Sequence, residues 1–295
     1  MKILLSGATG QVGWELARTL LPIGEVVEVN RTQADLADLK ALRGIIQQYK
    51  PNVIINPAAY TAVDKAETEQ EQAFLINAEA PGVLAEEAKK IGALLVQYST
   101  DYVFDGTKST PYTEDDATNP VNVYGQSKLA GEQAIQSVAC DYLILRTSWV
   151  YAGRGNNFLK TILRLAAERE ELKIVADQIG APTWARLIAE TTAHIVRQAM
   201  LERQVNNFNS SVYHLTSSGD TSWHGFAEKI VKIVREQGKL ALKNRTIHPI
   251  PTTGYPLPAK RPANSRLSTS RLEQQFGLTL PSWDNALRLC MQELD

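Results

Sequence analysis

Cysteine is almost missing from this chain. Cys140 and Cys290 are the only two in 295 residues, too few for a disulfide framework and at no metal-ligand spacing. Residues of this kind ordinarily serve as small buried hydrophobes in a reducing compartment. An excess of one charge is missing too. Lys and Arg number 31 against 32 Asp and Glu, a net charge of −1 with no block of like sign. That balance argues against a general nucleic-acid footprint, yet a few placed cations can still hold one small anionic ligand. No run reaches the roughly 18 apolar residues of a membrane-spanning helix. The opening Met1-Lys2-Ile3-Leu4-Leu5-Ser6-Gly7 has three consecutive apolar residues, where a secretory signal needs roughly 7–15. The four histidines (His194, His214, His224, His248) show no pairing at ligand spacing. A cytoplasmic globular protein is expected, with neither nucleic acid nor membrane as a partner.

What is present in the first half is an alternation. Short β-branched runs at Ile3–Ser6, Glu25–Asn30, Val53–Asn56, Leu94–Ser99 and Tyr142–Thr147 read as buried strands. Between them Trp14–Leu21, Leu39–Tyr49 and Glu79–Ile91 carry apolar residues at helical spacing. Strand–helix–strand alternation means right-handed crossovers and a parallel sheet covered on both faces, with ligands at the carboxyl ends of the strands. After about Ala152 the rhythm breaks. Helices are expected at Asn157–Arg169, Leu187–Met200 and Trp223–Glu236, with a loop-rich run at Asp177–Thr183, a polar surface loop at Leu201–Ser211 and a strand at Val212–Thr216. Five of the 13 prolines lie between Pro249 and Pro262, which predicts an extended, irregular segment. The expected architecture is an α/β, Rossmann-type doubly wound sheet over residues 1–151. Residues 152–295 should form mainly a smaller substrate-binding lobe, some segments returning to the sheet.

Gly7-Ala8-Thr9-Gly10-Gln11-Val12-Gly13 follows directly on the first strand and opens a helix. Glycines there permit a tight turn and let the backbone approach a pyrophosphate, which rests on the helix N-terminus. At the end of the second strand an NAD site usually places an acid. Here Asn30-Arg31 stands instead. Arg31 either pairs with a ribose 2′-phosphate or is a solvated surface cation, and Asp35-Leu36 just beyond can meet the adenine. Small residues in Asn56–Thr61 let a cofactor lie close, with Ala59, Tyr60 and Thr61 nearest its ribose.

Ser99-Thr100-Asp101-Tyr102 ends another strand, and Tyr124 and Lys128 follow four residues apart, so on a helix they share a face. An ammonium beside a phenol lowers the tyrosine pKa from about 10. A tyrosine so tuned can protonate a carbonyl oxygen as hydride reaches its carbon, and Thr100 supplies a second hydroxyl.

These motifs resemble the extended short-chain dehydrogenase/reductase family, whose members act on nucleotide sugars. The matching stretches are Gly7–Glu15, Thr61–Glu67, Tyr98–Phe104, Asn122–Glu132, Arg146–Phe158, Asp177–Thr183 and Arg261–Leu267. The resemblance implies that Thr100, Tyr124 and Lys128 are catalytic and that a dTDP-sugar ketone is reduced at C4 by NADPH or NADH. It implies cofactor contacts from Gly10–Gly13, Asp35-Leu36 and Ala59–Thr61, with Trp149, Thr100 and Asp101 on the sugar side. Asn157 and Arg261–Ser265 would lie near the nucleotide or sugar; Arg261 is either a diphosphate partner or an ordinary basic residue of a Pro-rich loop. It further implies a homodimer with Mg2+ held by Glu15, Glu190 and Glu293, although scattered surface glutamates are common. Two other readings share the fold. One is another nucleotide-sugar enzyme, a dehydratase or epimerase, of which a dehydratase wants a second carboxylate where Tyr102 follows Asp101; the other, a non-catalytic dinucleotide-binding regulatory subunit, needs neither Tyr124 nor Lys128.

Overall fold

The computed structural model describes residues 1–238 and 240–294. The first half runs β1 (Lys2–Ser6), α1 (Gln11–Thr19), β2 (Glu25–Val29), α2 (Leu39–Tyr49) and β3 (Val53–Asn56). Two short helices, α3 (Val63–Ala66) and α4 (Gln70–Phe74), pass through a π-helical turn at Leu75–Glu79 into α5 (Ala80–Ile91). Next come β4 (Leu94–Thr100), α6 (Val123–Val138) and β5 (Tyr142–Thr147). The second half holds β6 (Val150–Tyr151), α7 (Phe158–Glu168), β7 (Glu171–Val175), β8 (Ile179–Gly180), β9 (Thr183–Trp184) and α8 (Ala185–Gln204). It ends with β10 (Ser211–His214), β11 (Thr221–Ser222), α9 (Trp223–Gln237), β12 (Thr246–Ile250), α10 (Ser270–Phe276) and α11 (Trp283–Gln292).

Six strands form one sheet in the order β10-β5-β4-β3-β1-β2, every pair parallel. The order reverses between β1 and β3, so this doubly wound sheet has its switch point between the turns that follow those strands. Alternation along each strand splits the core. Ile3, Leu5, Ile55 and Val96 face Leu16 of α1 and Ile188 and Ile195 of α8. Leu4, Ile54 and Leu95 face Leu42 and Ile46 of α2, Leu84 of α5 and Ile135 of α6. Strands buried on both faces have no polar alternation, which is why they read as unbroken apolar runs.

Side-chain caps start several helices: Asp38 accepts from the Ala41 N–H and Asn122 from the Gly125 N–H, satisfying donors that have no partner within the helix. Beyond residue 152, α8 and β10 join the layers of the sheet, α8 packing on α1 and β10 extending the edge at β5. The remaining elements gather around α7, α9 and α11, whose core residues Leu159, Phe226 and Leu287 continue the α1/α8 face. Residues expected as a polar loop at Leu201–Ser211 are partly helical, since α8 reaches Gln204. The Pro-rich segment contributes β12 before it turns irregular, and β12 pairs in parallel with β7. No described helix is long and apolar enough to cross a membrane.

Candidate active site

The carboxyl ends of parallel strands lie along one edge of the sheet, and the candidate residues follow those ends. Below them a buried chain of polar side chains joins three strands. Ser6 donates to Asn56, the Asn56 amide donates to Gln97 at 2.8 Å, and the Gln97 amide donates to the Tyr98 carbonyl at 3.0 Å. The glycine turn is close-packed above it. A Cβ on Gly13 would come within 2.0 Å of the Gly7 carbonyl oxygen, so α1 can approach the β1 turn only with glycine there. Gly10 caps α1 without any side-chain hydrogen bond, leaving first-turn N–H groups that have no partner within the helix. Such a turn suits a pyrophosphate.

Because Ser6 pairs with Val29, Asn30 and Arg31 emerge beside this turn. Asn30 Oδ1 accepts from the Thr32 N–H at 3.0 Å and the Gln33 N–H at 3.2 Å, closing an Asx-type turn. Arg31 is 83% exposed and donates to Asp35 at 3.1 Å, while Leu36 is buried. The Ala37 N–H, with Arg31 adding to it, holds the Asp35 carboxyl below its ordinary pKa. After β3, the Tyr60 backbone is gripped by Asn77, which accepts from its N–H at 2.9 Å and donates to its carbonyl at 3.0 Å. Asn77 sits in the π-helical turn with 1% of its surface exposed. It presents a strand-like edge to residues 60–61, and nothing in its local sequence separates it from an ordinary helix residue. The Tyr60 hydroxyl is taken by Glu69 at 2.6 Å.

Thr100, Asp101, Tyr124 and Lys128 converge. Thr100 ends β4 and caps a short 3-10 turn, accepting from the Tyr102 N–H at 3.1 Å while donating to Asp101 at 3.0 Å. Asn122 caps α6 and sets Tyr124 at its start, with the rings of Tyr102 and Tyr124 edge to face at 5.8 Å. The geometry corrects one expectation. Lys128 is buried and donates to the Tyr98 carbonyl at 2.6 Å, and the Tyr124 phenol is not lowered. Burial pushes it up to about 12, Asp101 adds to the rise, and the Thr100 hydroxyl works against it. A shared helix face does not dictate where an ammonium points, and desolvation of a phenolate outweighs it here. Burial also lowers Lys128 to about 8, opposed by Glu132 one turn along. Glu132 is itself held by Arg146, at 2.9 and 2.7 Å, in a buried two-point pair.

Asp101 is 3% exposed, its Oδ2 is without a partner among the described residues, and burial raises its carboxyl to about 6 despite Ser265 and Thr100. An acid whose pKa is raised on folding weakens the fold where it is charged, fully above about pH 6 and not at all below about pH 4. Asp101→Asn should therefore raise stability at pH 8 by on the order of 2 kcal/mol and by almost nothing at pH 4. Denaturant melts at the two pH values test this; equal gains at both would sink it.

Trp149 takes a left-handed backbone, φ +47, a strain on the order of 1–3 kcal/mol for a bulky residue. Its indole stacks on Trp223. Asn157, expected near the ligand, caps α7 and donates to Gln11 of the glycine turn at 2.8 Å. Arg261 sets its guanidinium on Asp64 through two bonds of 3.0 and 2.8 Å, so its fork holds the Pro-rich segment to α3. The three acids Glu15, Glu190 and Glu293 do gather, but around Arg186, which bonds Glu15 at 3.2 Å and also Glu293, with Glu190 within electrostatic reach. The Arg186 guanidinium offsets one of the three carboxylate charges and occupies Glu15 and Glu293, and no group of three or more metal-ligating side chains is found among the described residues. The chain on its own does not fit Mg2+ there. Cys140 and Cys290 are buried thiols.

Comparison with known proteins follows the same lines. Residues 1–295 match the family described as the RmlD substrate binding domain. A dTDP-4-dehydrorhamnose reductase of Burkholderia thailandensis is 57% identical over 295 residues, spanning 100% of this chain and 99% of that protein. A solved dTDP-4-dehydrorhamnose reductase from Clostridium acetobutylicum matches with a TM-score of 0.89 at 38% identity, over 100% of this chain and 99% of that one. Another, from Bacillus anthracis in complex with NADP, matches at 0.87 and 34% identity over 99% of each.

Proposed function

The chain belongs to the RmlD substrate binding domain family, and from that premise we propose that it reduces dTDP-4-dehydro-β-L-rhamnose to dTDP-β-L-rhamnose, the last step of dTDP-L-rhamnose synthesis. The observation that carries the reading is the placement of Thr100, at the carboxyl end of β4, against the start of α6 that carries Tyr124 and Lys128, together with a glycine turn after β1 that leaves no room for a side chain at Gly13. NADPH is the cofactor, with NADH as the weaker choice. When bound it supplies hydride to the C4 carbon. Gly10–Gly13 receive its pyrophosphate, Arg31 its 2′-phosphate, and Asp35, Leu36 and Ala59–Thr61 line the rest of its site.

Thr100 orients the ketone oxygen by hydrogen bonding. Tyr124, protonated throughout the working range because burial holds its pKa near 12, donates the proton that oxygen needs. The Lys128 ammonium, bonded to the Tyr98 carbonyl, adds positive charge to this site and would reach the cofactor ribose. Trp149 and Asp101 border the sugar, and Asn157 supports the glycine turn through Gln11. Tyr102 stands where a dehydratase needs a second carboxylate, which favours plain reduction. A homodimer is part of the reading on resemblance alone; magnesium is not, because Arg186 already occupies the carboxylates of Glu15 and Glu293.

Mixing the protein with the dTDP-ketosugar and following NADPH absorbance tests the reaction, and absence of substrate-dependent oxidation would end the proposal. Arg31→Asp tests the cofactor preference. Like-charge repulsion of the 2′-phosphate should weaken NADPH binding by roughly tenfold and leave NADH nearly unchanged. Equal loss for both cofactors would move Arg31 away from the ribose.

A further inference from the structure

Trp149 cannot hold its position unaided. Its backbone is left-handed, φ +47, a conformation that persists in a bulky residue only when its surroundings over-determine it. Two groups do so. One is Gly180, where a Cβ would lie 2.7 Å from Cε2 of the Trp149 indole, so any larger residue would displace the ring. The other is Trp223, stacked on Trp149 with ring centroids 3.6 Å apart and planes at 11°.

Both groups arrive on one ribbon. β8 and β11 pair antiparallel, setting Thr221 opposite Gly180 and Ser222 opposite Ile179. Ser222 then caps α9 by accepting from the Gly225 N–H at 3.0 Å, which places Trp223 as the first residue of that helix. The same ribbon reaches toward the catalytic side, since the Ser265 N–H donates to the Ile179 carbonyl at 2.7 Å and the Ser265 hydroxyl works against the rise of the Asp101 carboxyl pKa. Behind Trp223, Phe158 lies at 4.6 Å and in turn stacks on the fully buried Phe226 at 5.5 Å. An aromatic ladder thus runs from the core of the second half to Trp149.

We propose that Trp223 is a positioning residue for the sugar ketone: it braces Trp149 in its left-handed conformation, so that the indole edge stays set as a wall of the sugar pocket. This rests on the reading of Trp149 as a sugar contact. Without the stack, the strain at residue 149 relaxes and the wall moves. Among the described residues no hydrogen bond or ring contact joins Trp223 directly to the glycine turn or to Tyr124, so cofactor binding should not depend on it.

The test uses the full-length protein with Trp223→Leu, Trp223→Phe and Trp149→Phe. Stacked indoles give a coupled signal in near-ultraviolet circular dichroism, which should vanish in all three. Trp223→Leu should raise KM for the ketosugar roughly tenfold, with NADPH affinity unchanged. Trp223→Phe keeps a stacking ring and should return KM to near the parent value although the coupled signal is gone. A Trp223→Leu enzyme with KM within about twofold of the parent, alongside a raised KM in Trp149→Phe, overturns this inference and leaves the reading of Trp149 intact. If KM is unmoved in Trp149→Phe as well, Trp149 is no sugar contact and both fall. A shift in NADPH affinity that tracks KM would mark Trp223 as merely structural, which also overturns the proposal.

Discussion

Tyr124→Phe should lower single-turnover NADPH oxidation by saturating ketosugar on the order of 10²–10⁴-fold, the loss typical of a positioned acid, while NADPH binding stays at the parent level. The ring is kept, so the edge contact with Tyr102 survives and the change removes little but the proton donor. Asp101 cannot substitute at neutral pH, because its carboxyl loses its proton near 6. A residual rate in the variant that climbs steeply below pH 6 would identify Asp101 as the surrogate. A rate near that of the parent at pH 7 would remove Tyr124 from the mechanism.

Lys128→Met should be nearly as severe, on the order of 10²-fold or more, since an ammonium near a developing phenolate acts in a site with little water. Its pH behaviour separates it from Tyr124. Burial lowers Lys128 to about 8, so the charged form prevails below that pH and is lost above it. Parent kcat/KM should be level between about pH 6.5 and 7.5 and fall toward one decade per unit above pH 8. The limb belongs to Lys128, because Tyr124 keeps its proton up to about 12. Lys128→Met should be slow and flat from pH 7 to 10. A limb that persists unchanged in that variant would assign the titration elsewhere.

Much of this was legible in the residues alone, and the reason is locality. Apolar runs, the glycine turn and the four-residue step from Tyr124 to Lys128 are patterns within one element, so the strands, the turn and the shared helix face of Tyr124 and Lys128 could be read directly. Contacts between distant residues could not. Arg261 finds Asp64 across the fold, Asn157 finds Gln11, and Arg186 reaches acids from three helical segments. Each side chain looked free to meet a ligand because its protein partner lay far along the chain. The Tyr124 pKa was misjudged for a related reason: spacing reports proximity, whereas burial, which reverses the shift, is a property of the folded whole. Trp223 gave no signal at all, since an aromatic at the start of a helix is ordinary until its neighbour's backbone is known.

The strand at the edge of the sheet beside β5 is β10, made from residues 211–214, and the partner of α1 is α8, residues 185–204. A chain emerging from the ribosome has therefore completed Thr100, Tyr124 and Lys128 long before it can close its own sheet. Until β10 is synthesised, β5 presents an open row of N–H and C=O groups, the template on which unfinished chains pair with one another, and until α8 is made the side of α1 turned away from the sheet lacks its cover. Nascent chains stalled before residue 211 should collect in aggregates or on chaperones, although Thr100, Tyr124 and Lys128, the residues proposed for proton transfer, have already been made.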